Sequence, residues 1–412
     1  MGKNQTDRKY FRWAGMHQGW NLSANGEMRH YGDLPMKTIK IRAEQKGLTL
    51  VEMMIALAIG LVITAVAIQL FLTSQSSLAV QKAMGDMQDS GNFGLEYIAR
   101  DIRKANLGAL SAVADGNMAQ GGVILSQNNV TKYLATAAGG TLGEGFDVGY
   151  MTRGNETALT TAANSWTGIS NMGGNVSSDQ LTIQFKAIQT LYSDEEFNAM
   201  KNRDTGLSDA EKATVVGYDC SGEKITLQNI ADRTYIIQRY FLRRDNDGSD
   251  TEPNDPLSLA CAAGRYSLQS IEAARTAESS SADKKTFSPV IVTGKLLGQG
   301  EIVLRRVDHF HVLLGVSEGG YAAPENMRYL TVKGYNDLMA NATAVKPQIR
   351  SVRLGFVVRA QNSSGKNIDL KDIEKFTVLD QEDLKLKTAD TNYLRKVTTQ
   401  TVAMRNALGE AE

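Results

Sequence analysis

The sequence predicts an α+β protein, with one long amino-terminal helix packed on an antiparallel β-sheet body. Three observations carry this. An apolar run of 25 residues spans Leu48 to Leu72, an amphipathic stretch follows it as far as Gly108, and alternating segments recur between residues 178 and 406. The 412 residues are 42% hydrophobic and 22% charged, with 6 Pro against 38 Gly. That is a globular composition, ample for one large or two modest cores.

Only Thr49, Glu52, Thr64 and Gln69 interrupt the apolar run. At about 1.5 Å per helical residue it spans roughly 37 Å, enough to cross a ~30 Å hydrocarbon layer with some tilt. A helix is the open-chain way to satisfy the backbone there, and Leu, Ile, Met and Ala favour it. A conventional signal peptide has a shorter apolar core followed by a small-residue site, which this segment lacks. Lys37, Lys40, Arg42 and Lys46 precede the run, and the next basic residue is Lys82. The charge bias therefore places the amino terminus in the cytoplasm and the body outside. Residues 1–46 hold nine of the 45 basic and four of the 45 acidic residues, which leaves the remainder at a net charge of −5. A mildly acidic body lacks the footprint of a general nucleic-acid binder.

Glu52 is the anomaly, because a carboxylate within an apolar helix is costly unless it finds a partner or stays at the interface. It reads either as an interfacial Glu at the mouth of a plain anchor or as an assembly group. The second reading follows from Lys46-Gly47: a cut after Gly47 would free a cationic amine on Leu48 and make Glu52 the fifth residue. Amine and carboxylate would then compensate each other, within one chain or between neighbours, and set register in a helical stack. Met36 begins MKTIKIRAEQKG, a short leader. Residues 1–35, with Trp13 and Trp20, read as part of a long leader or as sequence upstream of the true start.

Gly47, Thr49, Leu50, Val51 and Glu52, behind a basic leader, resemble the class III signal of type IV prepilins. Leu48 departs from it, since the family usually has Phe there. The resemblance implies cleavage of Gly47-Leu48 by a prepilin peptidase, N-methylation of Leu48, and pairing of Glu52 with a neighbour's amine.

Beyond the membrane run, Leu95, Ile98 and Ile102 fall on one helical face, Phe93 and Tyr97 form an adjoining i, i+4 pair, and Glu96–Arg100 supports the opposite side. Gly85, Gly91 and Gly94 predict a local bend, and Asn106-Leu-Gly108 predicts the helix stop. Residues 110–175, rich in Gly, Asn, Thr and Ala, read as short strands and long loops. Strands are predicted over 178–188, 224–230, 234–244, 301–316 (with a helical or bulged start), 350–361 and 394–406. Residues 193–213 form a charged excursion and 273–285 a surface loop. The resulting division is a leader over 1–47, a membrane half of the helix over 48–72, its outer half over 73–108, a β-rich body over 109–406 and a tail over 407–412.

Cys220 and Cys261 lie 41 residues apart in an extracytoplasmic body, so a bridge is expected over two buried free thiols. His309 and His311 put both rings on one face of a strand with Asp308 on the other, as partly buried strand histidines. Two nitrogens are too few for zinc without distant help. Asp245, Asp247 and Asp250, with Glu252 or Asp255, form the one metal-like cluster, but Pro256 stands where an EF-hand needs Glu. A hairpin turn is preferred there over calcium. With no catalytic set in view, no cofactor and no enzyme activity are expected.

The order of FGLEYIARDIRKANLG, Asp219-Cys220-Ser221-Gly222, RYFLRR followed by PLSLAC, VRLGFVVRA and RKVTTQTVAMRN resembles the PilW family of minor pilins across residues 47–406. Asn92 departs, standing where the family often has Arg. The resemblance implies a pilin-like fold and a minor pilin of a Gram-negative bacterium, held in the inner membrane with its body in the periplasm before entering the pilus. Its partners would be other minor pilins, the major pilin, the prepilin peptidase, the assembly platform and the bilayer, in support of twitching motility, adhesion or DNA uptake. The J-type pseudopilins of type II secretion share the architecture and are the near alternative. A membrane-tethered enzyme or ligand-binding module is the alternative of another class.

Overall fold

The computed structural model describes residues 47–109, 114–118, 120–130, 148–154, 168–187, 214–227, 234–245, 252–267, 293–296, 298–318, 325–341, 346–365, 375–390 and 392–407. The leader through Lys46, the charged excursion at 193–213 and the loop at 273–285 lie outside these residues. The chain divides into a unit ending at Val66 and a body starting at Ala67.

Helix α1, Leu50–Lys104, is an unbroken 55-residue element. Within the first unit its large apolar side chains are all exposed. In the body, Ala83, Met87, Gly91, Gly94, Leu95, Ile98, Ala99 and Ile102 form a buried stripe at helical spacing. Gly94 belongs to this packing face: a Cβ there would sit 3.0 Å from the Leu304 Cβ. Gly94 thus marks a close approach, whereas a Cβ on Gly91 would make only an ordinary contact with Thr398 and one on Gly85 would meet nothing within 4 Å. The helix stays continuous through all three. Phe93 is 82% exposed and takes no part in the buried stripe. Glu96 pairs with Arg103 at 2.8 Å, and Arg100 instead lies over the Tyr97 ring. The stop falls as expected, with Asn106 (φ 66°) and Gly108 (φ 67°) in the left-handed region. Asn406 Nδ2 then donates to the last-turn carbonyls of Arg103 and Ala105.

The strands of the body, in chain order, are β1 Leu181–Lys186, β2 Thr214–Tyr218, β3 Lys224–Leu227, β4 Thr234–Arg244, β5 Leu257–Ser267, β6 Thr293–Gly294, β7 Glu301–Arg305, β8 Val307–Glu318, β9 Glu325–Thr331, β10 Gln348–Arg359, β11 Phe376–Val378, β12 Gln381–Leu384 and β13 Arg395–Ala403. A second helix, α2, covers Val332–Asn341. One sheet runs β1-β4-β5-β6 with β7 also on β5, and a second runs β13-β10-β8-β9. All pairings within these sheets are antiparallel. β2–β3 and β11–β12 are separate hairpins.

The predicted strand at 301–316 is two strands in different sheets. Arg306, at φ 58°, turns the chain so that β7 pairs with β5 and β8 with β10. Leu95, Ile98 and Ile102 of α1 share one core with Ile183, Leu259, Leu304, Phe310, Val312, Leu354, Phe356 and Val402. Phe310 and Phe356 stack at 4.8 Å in its centre. At roughly 25 cal/mol per Å² of apolar surface, this burial is the main force holding helix to sheets. β5 escaped prediction because its Ala-Cys-Ala-Ala centre lacks the β-branched signature; those small side chains are wholly buried between β4 and β7.

Candidate functional site

The start of α1 carries the first candidate group. Thr49 precedes the helix, and its Oγ1 accepts from the Glu52 N–H at 3.2 Å. Glu52 Oε2 in return accepts from the Thr49 N–H at 2.9 Å and the Thr49 hydroxyl at 3.1 Å. This is a reciprocal capping box, which uses Glu52 to satisfy backbone donors that the first turn leaves open. The signal for this box is the T-x-x-E spacing of Thr49 and Glu52 just before the apolar run. Leu48 and Glu52 are both exposed, and a Cβ on Gly47 would meet nothing within 4 Å. Among the described residues, α1 is the one helix long and apolar enough to cross a membrane.

The body clamps its end of α1 through a buried polar set. Asp101, 1% exposed, accepts from the Tyr240 hydroxyl at 2.8 Å and from Lys104 Nζ at 2.9 Å. Gln238, with its amide nitrogen turned to Asp101, donates at 3.1 Å and accepts from the Cys220 N–H at 2.9 Å. Tyr97 donates to the Cys220 carbonyl at 3.3 Å. Cys220 and Cys261 are joined as a disulfide with Cα atoms 6.0 Å apart, tying the β2–β3 hairpin to β5 beside the helix.

The described acidic residues of the 245–255 stretch, Asp245, Glu252 and Asp255, are each engaged by arginines. β4 and β5 form a hairpin across it, with Arg244 opposite Leu257. Asp245 Oδ2 lies 3.1 Å from Arg305 Nη1, Glu252 pairs with Arg306 at 2.9 Å and with Arg359, and Asp255 pairs with Arg244 at 2.8 Å. Guanidinium groups thus supply the positive charge that a cation would bring. Asp247 and Asp250 lie outside the described residues. No cluster of three or more His, Cys, Asp or Glu fit for a metal occurs among the described residues. The same ion-pair chain continues through Asp308, which meets Arg395 Nε at 2.6 Å, to Asp390, 2.8 Å from Arg395 Nη2.

His309 and His311 are fully buried rather than partly so. His311 Nδ1 lies 2.6 Å from Asp179 Oδ2 and Nε2 lies 2.7 Å from Asp380 Oδ1. Burial lowers the His311 pKa, but the hydrogen bonds and charges of the two carboxylates outweigh it and leave the imidazole raised. His309 Nε2 faces Gln381 Oε1 at 2.7 Å, and Nδ1 faces the Ser170 and Ser178 hydroxyls at 3.0 and 3.3 Å. Burial pulls its pKa down to about 4. Asp179 and Asp380 carry no sequence signal linking them to the His pair, since they lie 132 and 69 residues away from His311.

Comparison with known families gives two matches. A prokaryotic N-terminal methylation motif covers residues 42–68, and type IV pilus-assembly protein W covers residues 277–406. The carboxy-terminal part of the body is thus similar to the PilW family, and the start of the helix to the prepilin methylation signal. The PilW match takes in α2 and every strand from β6 to β13, so the β13-β10-β8-β9 sheet lies wholly within it. The methylation-motif match holds Gly47, the capping box and the first turns of α1. A type IV-like pilin from Thermus thermophilus is similar at 12% identity, over 56% of this chain and 79% of that one, with a TM-score of 0.21. At that score the likeness carries no argument. A search of curated proteins finds no match. The methylation motif and apolar helix together support membrane anchoring.

Proposed function

We propose that this chain is a non-enzymatic structural subunit that primes pilus assembly. A prepilin peptidase cuts Gly47-Leu48 on the cytoplasmic face and methylates the new amine. The mature chain waits in the inner membrane with its body in the periplasm, then joins other minor pilins in a tip complex from which the pilus grows. The observation that carries this reading is a lone carboxylate, Glu52, five positions after Gly47 in an otherwise apolar helix start within the methylation-motif match. As α1 enters a bundle, Glu52 exchanges its cap partner for a neighbour's Leu48 amine, since an uncompensated charge in lipid is disfavoured. Calcium binding and direct DNA contact are not part of the proposal.

The deciding experiment is mass spectrometry of the chain purified from its native membrane. The expected amino terminus is a methylated Leu48. An intact leader, or a plain anchor with no cut at Gly47, would overturn the reading in favour of a membrane-tethered module. A knockout separates pilus from secretion roles: pili should be lost while secretion of folded exoproteins persists.

A further inference from the structure

β8 projects His309 and His311 toward the β11–β12 hairpin, which covers an apolar cluster of Met172, Val357, Phe376, Val378 and Leu384. The hairpin turn reaches both rings, Asp380 on His311 and Gln381 on His309. The two rings stack 6.4 Å apart yet have opposite surroundings. His311 has a carboxylate oxygen on each nitrogen, so both nitrogens donate and the ring is an imidazolium. His309 accepts a hydrogen bond from a serine hydroxyl at Nδ1 and donates from Nε2 to the Gln381 amide oxygen, so it is neutral. Backbone packing makes this contact close: a Cβ on Gly355 of β10 would lie 2.7 Å from Val378 Cγ1.

We propose that the His309–His311 pair is a two-sided pH clasp that holds the β11–β12 hairpin closed over the sheet, and that both acid and alkali open it. Rising pH removes the His311 proton, so one nitrogen loses its proton and faces Asp179 or Asp380 lone pair to lone pair. Falling pH charges His309 beside the existing imidazolium, where it meets only hydroxyls and an amide. Each element packed on the pair presents its own groups to it. The 168–180 segment gives Ser170, Ser178 and Asp179, the hairpin gives Asp380 and Gln381, and β10 sets uncharged Gly355 and Val357 opposite the rings. Asp308 turns away to Arg395 and Arg359.

The two signs are opposite. His311, raised in the folded state, contributes fully below its unfolded value near 6.5, and that contribution is lost as pH rises through the folded value. Asp179, pushed up by burial, also loses its contribution as pH rises, but from its unfolded value near 3.8 upward, so it offsets part of the acid arm. His309, lowered to about 4, contributes fully above 6.5 and loses it as pH falls toward 4. The clasp is therefore tightest near pH 6.5, and each arm falls by up to about tenfold per pH unit across its window.

The test is hydrogen exchange read by mass spectrometry on the full chain in detergent, with rates corrected for intrinsic pH dependence. Protection of peptides covering 376–384 should peak near pH 6.5, fall several-fold by pH 4.5, and fall again as pH rises toward 9. His309→Gln should abolish the acid arm and keep the alkaline one. Asp380→Asn should move the alkaline arm to lower pH. A flat wild-type profile overturns the proposal without need of a variant, and so does an acid arm that survives in His309→Gln.

Discussion

Asp101→Ala tests how the body grips the helix. The substitution removes the acceptor of two buried donors, the Tyr240 hydroxyl and the Gln238 amide, at a residue 1% exposed. Each buried donor left without a partner costs about 1–3 kcal/mol, so the loss should total roughly 2–6 kcal/mol. For a body of this size each kcal/mol moves the melting temperature by about 2 °C, so a fall of roughly 4–12 °C is expected. Tyr240→Phe keeps the ring and removes the hydroxyl. It should cost about 1 kcal/mol, because Asp101 still receives Lys104 and Gln238. The double variant should then be less destabilised than the sum, by about 1 kcal/mol, since both single changes break one shared bond. Thermal unfolding followed by circular dichroism of the full chain in detergent measures all three. A melting temperature for Asp101→Ala within about 2 °C of the parent, or strictly additive costs, would refute the reasoning.

Gly47→Val should leave the precursor uncut, seen as a single larger band on an immunoblot, and a shift to mature size would contradict the processing step. Glu52→Ala should leave the cut intact but abolish incorporation into pili, whereas Thr49→Val, which disturbs only the cap, should reduce it much less; equal defects would assign Glu52 to capping alone. Cys220→Ser with Cys261→Ser opens a bridge spanning 41 residues and should cost about 3–4 kcal/mol, measured by denaturant unfolding. Gly355→Ala should loosen the β11–β12 hairpin by forcing Val378 and Leu379 outward, and unchanged hydrogen-exchange protection at 376–384 would count against that packing.

The long helix was legible because its physics is local. The apolar run, the helix periodicity at Leu95, Ile98 and Ile102, and the Asn106–Gly108 stop each depend on near neighbours, and the helix follows them closely. β1, β4, β10 and β13 were legible for the same reason, since alternation of side chains is a property of the strand itself. β5, β9, β11, β12 and α2 were not. Their residues are small, charged or mixed, and their burial is decided by what packs on them.

At the start of the helix the sequence alone singled out Gly47, Leu48 and Glu52, within an apolar run long enough to cross a membrane. Only the tertiary structure decided where the remaining charges go. Asp245, Glu252 and Asp255 look like oxygen ligands in sequence, and arginines from β4, β7, β10 and the β7–β8 junction take them in space. His309 and His311 look alike in sequence, yet one is held charged by Asp179 and Asp380 and the other neutral by hydroxyls and an amide. The physical reason is the same in both cases. Hydrophobic period is written along the chain, whereas the partner of a buried charge comes from segments far apart in sequence and exists only once the sheets have formed.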